Sequence, residues 1–253
     1  MTDGAGEVVT AVTAALLVVG DEILSGRTKD KNIGHVAENL TLAGIDLREV
    51  RIVPDVEEEI VAAVNALRAR YTYVFTTGGI GPTHDDITAD CVAKAFGVPI
   101  AVDERAVAMM LERHKREDLN EARLRMARIP KGASLVDNPI SRAPGFRLEN
   151  VVVMAGVPAI MQAMLDNVLP TLTKGIPVTS QTIDASGVPE GLYAAGLQTI
   201  AARHPSLSIG SYPSFGPSGF TNQIVVRGRD LDAVARARAE IGAHIEELRA
   251  RKA

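Results

Sequence analysis

Residues 14–19 read AALLVV, apolar without a break, and Val36, Ala37, Leu40 and Ala43 follow at helical spacing. A half-exposed strand would alternate, so the unbroken run predicts a strand covered on both faces. The spaced set predicts an amphipathic helix that Gly44 stops. Residues 47–53 predict a second strand. Val56, Ile60, Val64 and Leu67 mark a second helix, with Asp55 placed to cap its start. Residues 71–76 predict a third strand, and a helix follows over 88–96. Further helices are expected over 103–116 and 120–127, and short β pieces near 134–136 and 145–148. Another buried strand over 151–155 leads into a helix from Pro158 that ends before Pro170. Strands alternating with helices of this length predict an α/β domain, a three-layer mostly parallel sheet with helices on both faces.

Around residues 171–177 the pattern loosens into Thr, Lys, Gly and Pro. The reading divides the chain into a tail over 1–13, a large domain over 14–173 and a small α+β domain over 174–253. The small domain is expected to hold a strand over 178–184, a helix over 189–204 and strands over 207–212 and 220–226. The turn PSFGPSG (213–219) separates the last two strands. Leu231, Val234, Ile241, Ile245 and Leu248 give a final helix its apolar stripe. A unit of this size is too small to hold a large catalytic cleft by itself.

The 253 residues are 46% apolar and carry a net charge of −4. That balance provides a core and leaves no overall basic field for nucleic acid or an anionic membrane. The longest apolar run falls far short of the roughly 20 residues that cross a bilayer. The start of the chain has no basic stretch before an apolar core, so no secretory leader is expected, and a cytoplasmic protein is. Cys91 is the single cysteine. It excludes an internal disulfide and, in an apolar helical stretch, reads as a buried small hydrophobe. Arg123 and Arg125, like Arg249, Arg251 and Lys252, read as solvated helix faces.

Candidate chemistry gathers where strands hand over to helices, the edge at which open parallel sheets bind ligands. Three stretches, VVGDEILSG (18–26), IVPD (52–55) and TTGGIGPTHDDIT (76–88), would open on one such edge. Gly78, Gly79 and Gly81 lack Cβ atoms, so their backbone can bend sharply and approach a phosphate, beside a helix N-terminus. A plain structural corner would use the same glycines. Asp85 and Asp86 would repel a phosphate unless a cation stood between, a role that suits Mg²⁺ or another divalent ion. The plainer alternative caps the next helix with one of them, and Thr88 is an equal candidate for that cap. Asp55 divides the same way between a cap and a site residue, and Asp21 with Glu22 between a solvated turn and the site. His84 suits a phosphate contact or simple solvation. Arg142 suits a phosphate or the surface. Gly156 and Pro158 form another strand-to-helix elbow at the same edge.

TTGGIGPTHDDIT resembles the signature of the molybdenum-cofactor biosynthesis (MoCF) fold. That fold is shared by MogA- and MoaB-type molybdopterin-binding proteins, the N-terminal domain of CinA-type proteins and the molybdopterin-binding-like domain of FAD synthases. GDEILSG with Asn32, IVPD, NPISRAPGF and MAGVPAIM support it, over residues 14–170. The tail IGSYPSF resembles the small domain that follows in CinA-like chains. The resemblance implies that Asp55 and Asp86 are catalytic and that Asp85 and Asp86 hold a metal. It implies a phosphate or pterin cradle in Gly78, Gly79, Gly81, Pro82 and Thr83, with His84, Thr88, Gly20, Asp21, Glu22, Gly26, Asn32, Arg142, Gly156 and Pro158 around it. Ile80 and Asp85 stand where MogA-type chains carry Thr and Arg. The second carboxylate directs expectation to metal-assisted attack on a pyrophosphate such as ADP-ribose or FAD. The alternatives are a non-catalytic molybdopterin-binding protein and a molybdopterin adenylyltransferase. A homo-oligomer, dimer or trimer, is also implied.

Overall fold

The computed structural model describes residues 11–216 and 219–251. Most of the expected tail over 1–13, the centre of the 213–219 turn and Lys252 lie outside the described residues. Two compact units divide between Gly175 and Ile176.

The first unit contains β1 (Thr13–Val19), α1 (Asp21–Leu24), α2 (Asn32–Leu42), β2 (Asp46–Val53), α3 (Glu57–Arg68), β3 (Tyr73–Thr77) and α4 (Thr88–Phe96). It continues with β4 (Ile100–Val102), α5 (Glu104–Leu111), α6 (Glu121–Arg125), β5 (Arg128–Pro130), β6 (Ser134–Val136), β7 (Gly145–Leu148), β8 (Val151–Met154) and α7 (Pro158–Val168). Six strands form one sheet in the order β2-β1-β3-β8-β7-β6. The four from β2 to β8 run parallel, and β7 and β6 add an antiparallel margin.

β1 lies inside the parallel part, between β2 and β3, and alternate residues enter two separate cores. Leu17 packs with α3 and α4 side chains such as Ile60, Val64 and Val92. Leu16 packs with Val36, Leu40 and Leu165 on the opposite face. Two covered faces are why the run is apolar throughout. Because β1, β2, β3 and β8 share one direction, their C-terminal ends reach the same edge. Loops 18–26, 52–55, 76–88 and the elbow at Gly156 therefore meet there.

Some boundaries differ from the sequence reading. The helix expected over 103–116 ends at Leu111, and a 3-10 turn, Arg116–Asp118, follows. From Glu112 to Asp118 every residue is polar or charged, so no face remains to bury. Asp103 does cap α5, accepting from Arg105 N–H at 2.8 Å. β4 and β5 form a small antiparallel pair that the sequence reading did not anticipate.

The second unit has β9 (Thr179–Asp184), α8 (Glu190–Arg203), β10 (Ser208–Gly216), β11 (Gly219–Gly228) and α9 (Leu231–Ala250). Its sheet order is β10-β11-β9, antiparallel throughout, with Tyr193, Val226, Val234 and Ile241 in the core. β10 is an edge strand, so Pro213 costs no ladder bond there. The expected turn over 213–219 is mostly strand, pairing as far as Gly216 with Gly219. Among the described residues no helix is long and apolar enough to cross a membrane.

Candidate functional site

At the parallel edge lies a cleft of about 550 Å³. Gly20, Glu22, Asp55, Gly78, Gly79, Gly81, Pro82, Asp85, Asp86, Gly156 and Pro158 all line it. Four of those side chains are carboxylates, and no Lys, Arg or His is among the lining residues.

Backbone geometry explains the two central glycines. Gly78 has φ +100, and a Cβ there would stand 2.1 Å from the Val19 carbonyl oxygen. Gly79 has φ +67, and a Cβ there would meet Thr88 Oγ1 at 2.1 Å. Both positions reject a side chain on two grounds, conformation and space. The loop is pinned by Gly78 N–H donating to Met154 C=O at 3.2 Å and Thr88 N–H donating to Gly79 C=O at 2.9 Å. The Gly78 amide is therefore engaged inside the protein. No acceptor among the described residues takes the N–H groups of Gly79, Ile80 or Gly81.

The capping alternatives resolve in favour of the loop. Val56 occupies the cap position of α3, with no side-chain cap bond. Asp55 Oδ2 instead accepts from the Asp21 N–H at 3.0 Å, joining the β2 and β1 loops. Thr88 is buried and donates its hydroxyl to Gly78 C=O at 3.0 Å, so it braces the glycine turn rather than capping α4. Asp86 Oδ2 accepts from Thr83 N–H at 2.8 Å and Thr83 Oγ1 at 2.5 Å. The Thr83 amide is thus spent on Asp86, and the carboxylate folds back over Gly81.

Electrostatics separates the acids. Burial, followed by the charges of Asp21, Glu22 and Asp85, pushes the Asp55 carboxyl above its ordinary value, against the lowering pull of the Asp21 N–H. Hydrogen bonding, first with the Thr83 hydroxyl and then with its own N–H, holds exposed Asp85 below its ordinary value. In the structure that hydroxyl donates to Asp86 Oδ2. A raised carboxyl, Asp55, beside a lowered one, Asp85, is the usual basis for dividing acid and base roles in one site.

Other expected residues lie at the periphery or elsewhere. Asp21 contributes its N–H through Asp55. Gly26 turns the α1 loop at φ +71, with open space where a Cβ would stand. His84 is almost fully exposed, with Nδ1 4.0 Å from Asp85 Oδ1. Arg142 is outside the cleft lining, its guanidinium held by Glu112 and by Asp137 at 2.7 Å. Asn32 is buried and donates to Gly156 C=O at 2.9 Å. Its Oδ1 has no partner among the described residues, and Asn32 lines a recess of about 60 Å³ with Lys29, Lys31 and Thr77.

Sequence reasoning missed Asn138. Its side chain accepts from Ile140 and Ser141 N–H and donates to Ala143 C=O at 2.8 Å, shaping the far wall. The Asn-Pro turn signal was present in NPISRAPGF, but it reads as punctuation rather than as a site. Cys91 is fully buried in α4 and its thiol is pushed up to about 12, burial being the largest cause. Among the described residues no group of three or more His, Cys, Asp or Glu is arranged to hold a metal.

Comparison with known proteins gives concordant results. A family model described as "FAD synthase, middle domain" matches residues 177–252. A protein of Pyrobaculum calidifontis is 36% identical over 211 residues, covering 79% of this chain and 80% of its own. One from Aeropyrum pernix is 32% identical over 249 residues, covering 93% of this chain and 92% of its own. The crystal structure of CinA from Thermoplasma acidophilum, at 34% identity and TM-score 0.60, covers 64% of this chain and 98% of that one. The glycine loop and the acidic edge fall within residues 15–174, where a second model matches, and there the chain belongs to the family described as "Probable molybdopterin binding domain".

Proposed function

We propose that the cleft binds a phosphorylated nucleotide or pterin and, with a divalent cation, hydrolyses the pyrophosphate of an ADP-ribose- or FAD-type dinucleotide. One observation carries this reading. Three unspent loop N–H groups lie at the edge of a cleft whose lining includes four carboxylates and no basic side chain. Amides of that kind suit phosphate oxygens, and the carboxylates would repel them unless a cation intervened.

The chain's own residues divide the work. The Gly79 to Gly81 amides orient the phosphates, and Asp85 and Asp86 would hold the cation. When bound, the cation would neutralise phosphate charge and polarise the phosphoryl oxygen. Asp55, raised and directed into the cleft, accepts the proton of an attacking water as its oxygen bonds to phosphorus. The bridging P–O bond breaks, giving AMP and ribose 5-phosphate from ADP-ribose, and Asp55 returns the proton to solvent. A dimer or trimer belongs to the same proposal.

Purified protein offered ADP-ribose or FAD with Mg²⁺, Mn²⁺ or Co²⁺ is expected to release AMP. Asp86→Asn and Asp55→Asn should each lower the rate by about a hundredfold or more. Nucleotide binding without AMP release would reduce the reading to a binding protein. Tight binding of a phosphorylated pterin with none of a dinucleotide would favour the molybdopterin alternative, which the family description supports.

A further inference from the structure

We propose that Arg125 is a positioning residue that holds the Asp86 segment in register with the cleft. This rests on the reading of the cleft given above. Sequence pattern places Arg125 on a solvated helix face, yet the structure half-buries it at the end of α6. Its Nη2 donates to the Asp86 main-chain carbonyl at 3.3 Å, 39 residues away in the chain. Its Nε is buried with no acceptor among the described residues.

The surroundings make this an unusual place for a charge. Arg125, Arg128, Asp86 and Asp90 line a void of about 20 Å³, enough for one water. Asp90 is already engaged by Arg128, at 2.6 Å. Asp86 directs its carboxylate to Thr83. Arg125 is therefore left with a carbonyl in place of a carboxylate. A half-buried guanidinium without an ion pair costs folding free energy, so its position calls for another use.

Geometry supplies that use. The four residues from Pro82 to Asp85 are exposed. Within the loop, Thr83 anchors the Asp86 carboxylate; from outside it, Arg125 anchors the Asp86 backbone. Arg128 grips Asp90, in the first turn of α4, from the neighbouring strand β5. Met126, next to Arg125, lines both the void and the cleft. The α6–β5 segment thus holds the approach to α4 and its first turn at two points, and the void shares Ile80, Gly81, Asp86 and Met126 with the cleft. Arg125 is not among the residues that line the cleft. It sets where Asp86 stands.

The test compares wild type with Arg125→Ala and Arg125→Lys by hydrogen exchange and by turnover. In Arg125→Ala, amide exchange over residues 79–88 should quicken by about tenfold while the second unit is unchanged. With ADP-ribose and Mg²⁺, kcat should fall by about tenfold or more and KM should move by less than about twofold. Added guanidinium should restore part of the lost kcat in the alanine variant. Arg125→Lys, which keeps the charge and loses the fork, should fall between the two, and it is the variant to read if alanine prevents folding. Unchanged exchange over 79–88 would overturn the proposal, as would a KM effect with kcat intact. A wild-type chain that releases no AMP would remove the hydrolytic reading alone, and exchange would then decide for or against Arg125.

Discussion

Asp55 follows a proline and precedes an apolar helix, which by local rules is a helix cap. Its carboxylate turns instead to the Asp21 N–H, 34 residues back. Local sequence offers only the cap, and the closeness of β1 and β2 supplies the Asp21 N–H. The choice has a pH signature. Burial, then neighbouring charge, raises Asp55 above its ordinary value of 3.8. Protonation therefore favours the folded state, so this group's contribution is fully present below the ordinary value and is lost as pH rises through the folded one. Asp55→Asn is expected to raise the denaturant midpoint at pH 8, an advantage that fades as pH falls below the ordinary carboxylate range. The same substitution should cost turnover. A lower midpoint at pH 8 would mean that the Asp21 bond outweighs burial.

Element by element, agreement follows burial. Strands β1, β3 and β8 announce themselves because both faces are covered, and unbroken apolar runs have few other uses in a chain of this kind. α5 stops short of expectation because helical spacing continues into a stretch with nothing to bury. β10 and β11 run past expectation because pairing with a neighbour admits Pro, Ser and Gly that strand propensity would refuse. The two-faced burial of β1 gives a direct test. Leu16→Ala and Leu17→Ala should each destabilise the protein by about 2–5 kcal/mol, measured by denaturant unfolding. A strand exposed on one side would show that loss at only one of the two positions.

Across the whole molecule, the residues that line the cleft all precede Ile160 or include it. The boundary between compact units falls later, after Gly175. A fragment ending at Gly175 is therefore expected to fold and to keep AMP release from ADP-ribose, with kcat within about threefold of the full chain. Activity confined to the full chain would assign part of the site to the second unit.

What the sequence determined by itself was whatever depends on near neighbours: strand and helix periods, glycines where no Cβ fits, and acids grouped after a strand. Parallel order followed from these, because short crossovers leave few ways to join such elements. Tertiary structure alone decided the partners. Asp55 met Asp21, Thr88 met Gly78, Arg142 was taken by Glu112 and Asp137, and Arg125 reached Asp86. The reason is physical. A polar side chain takes the nearest group able to satisfy it once water is excluded, and which group is nearest is set by how the strands lie together in space.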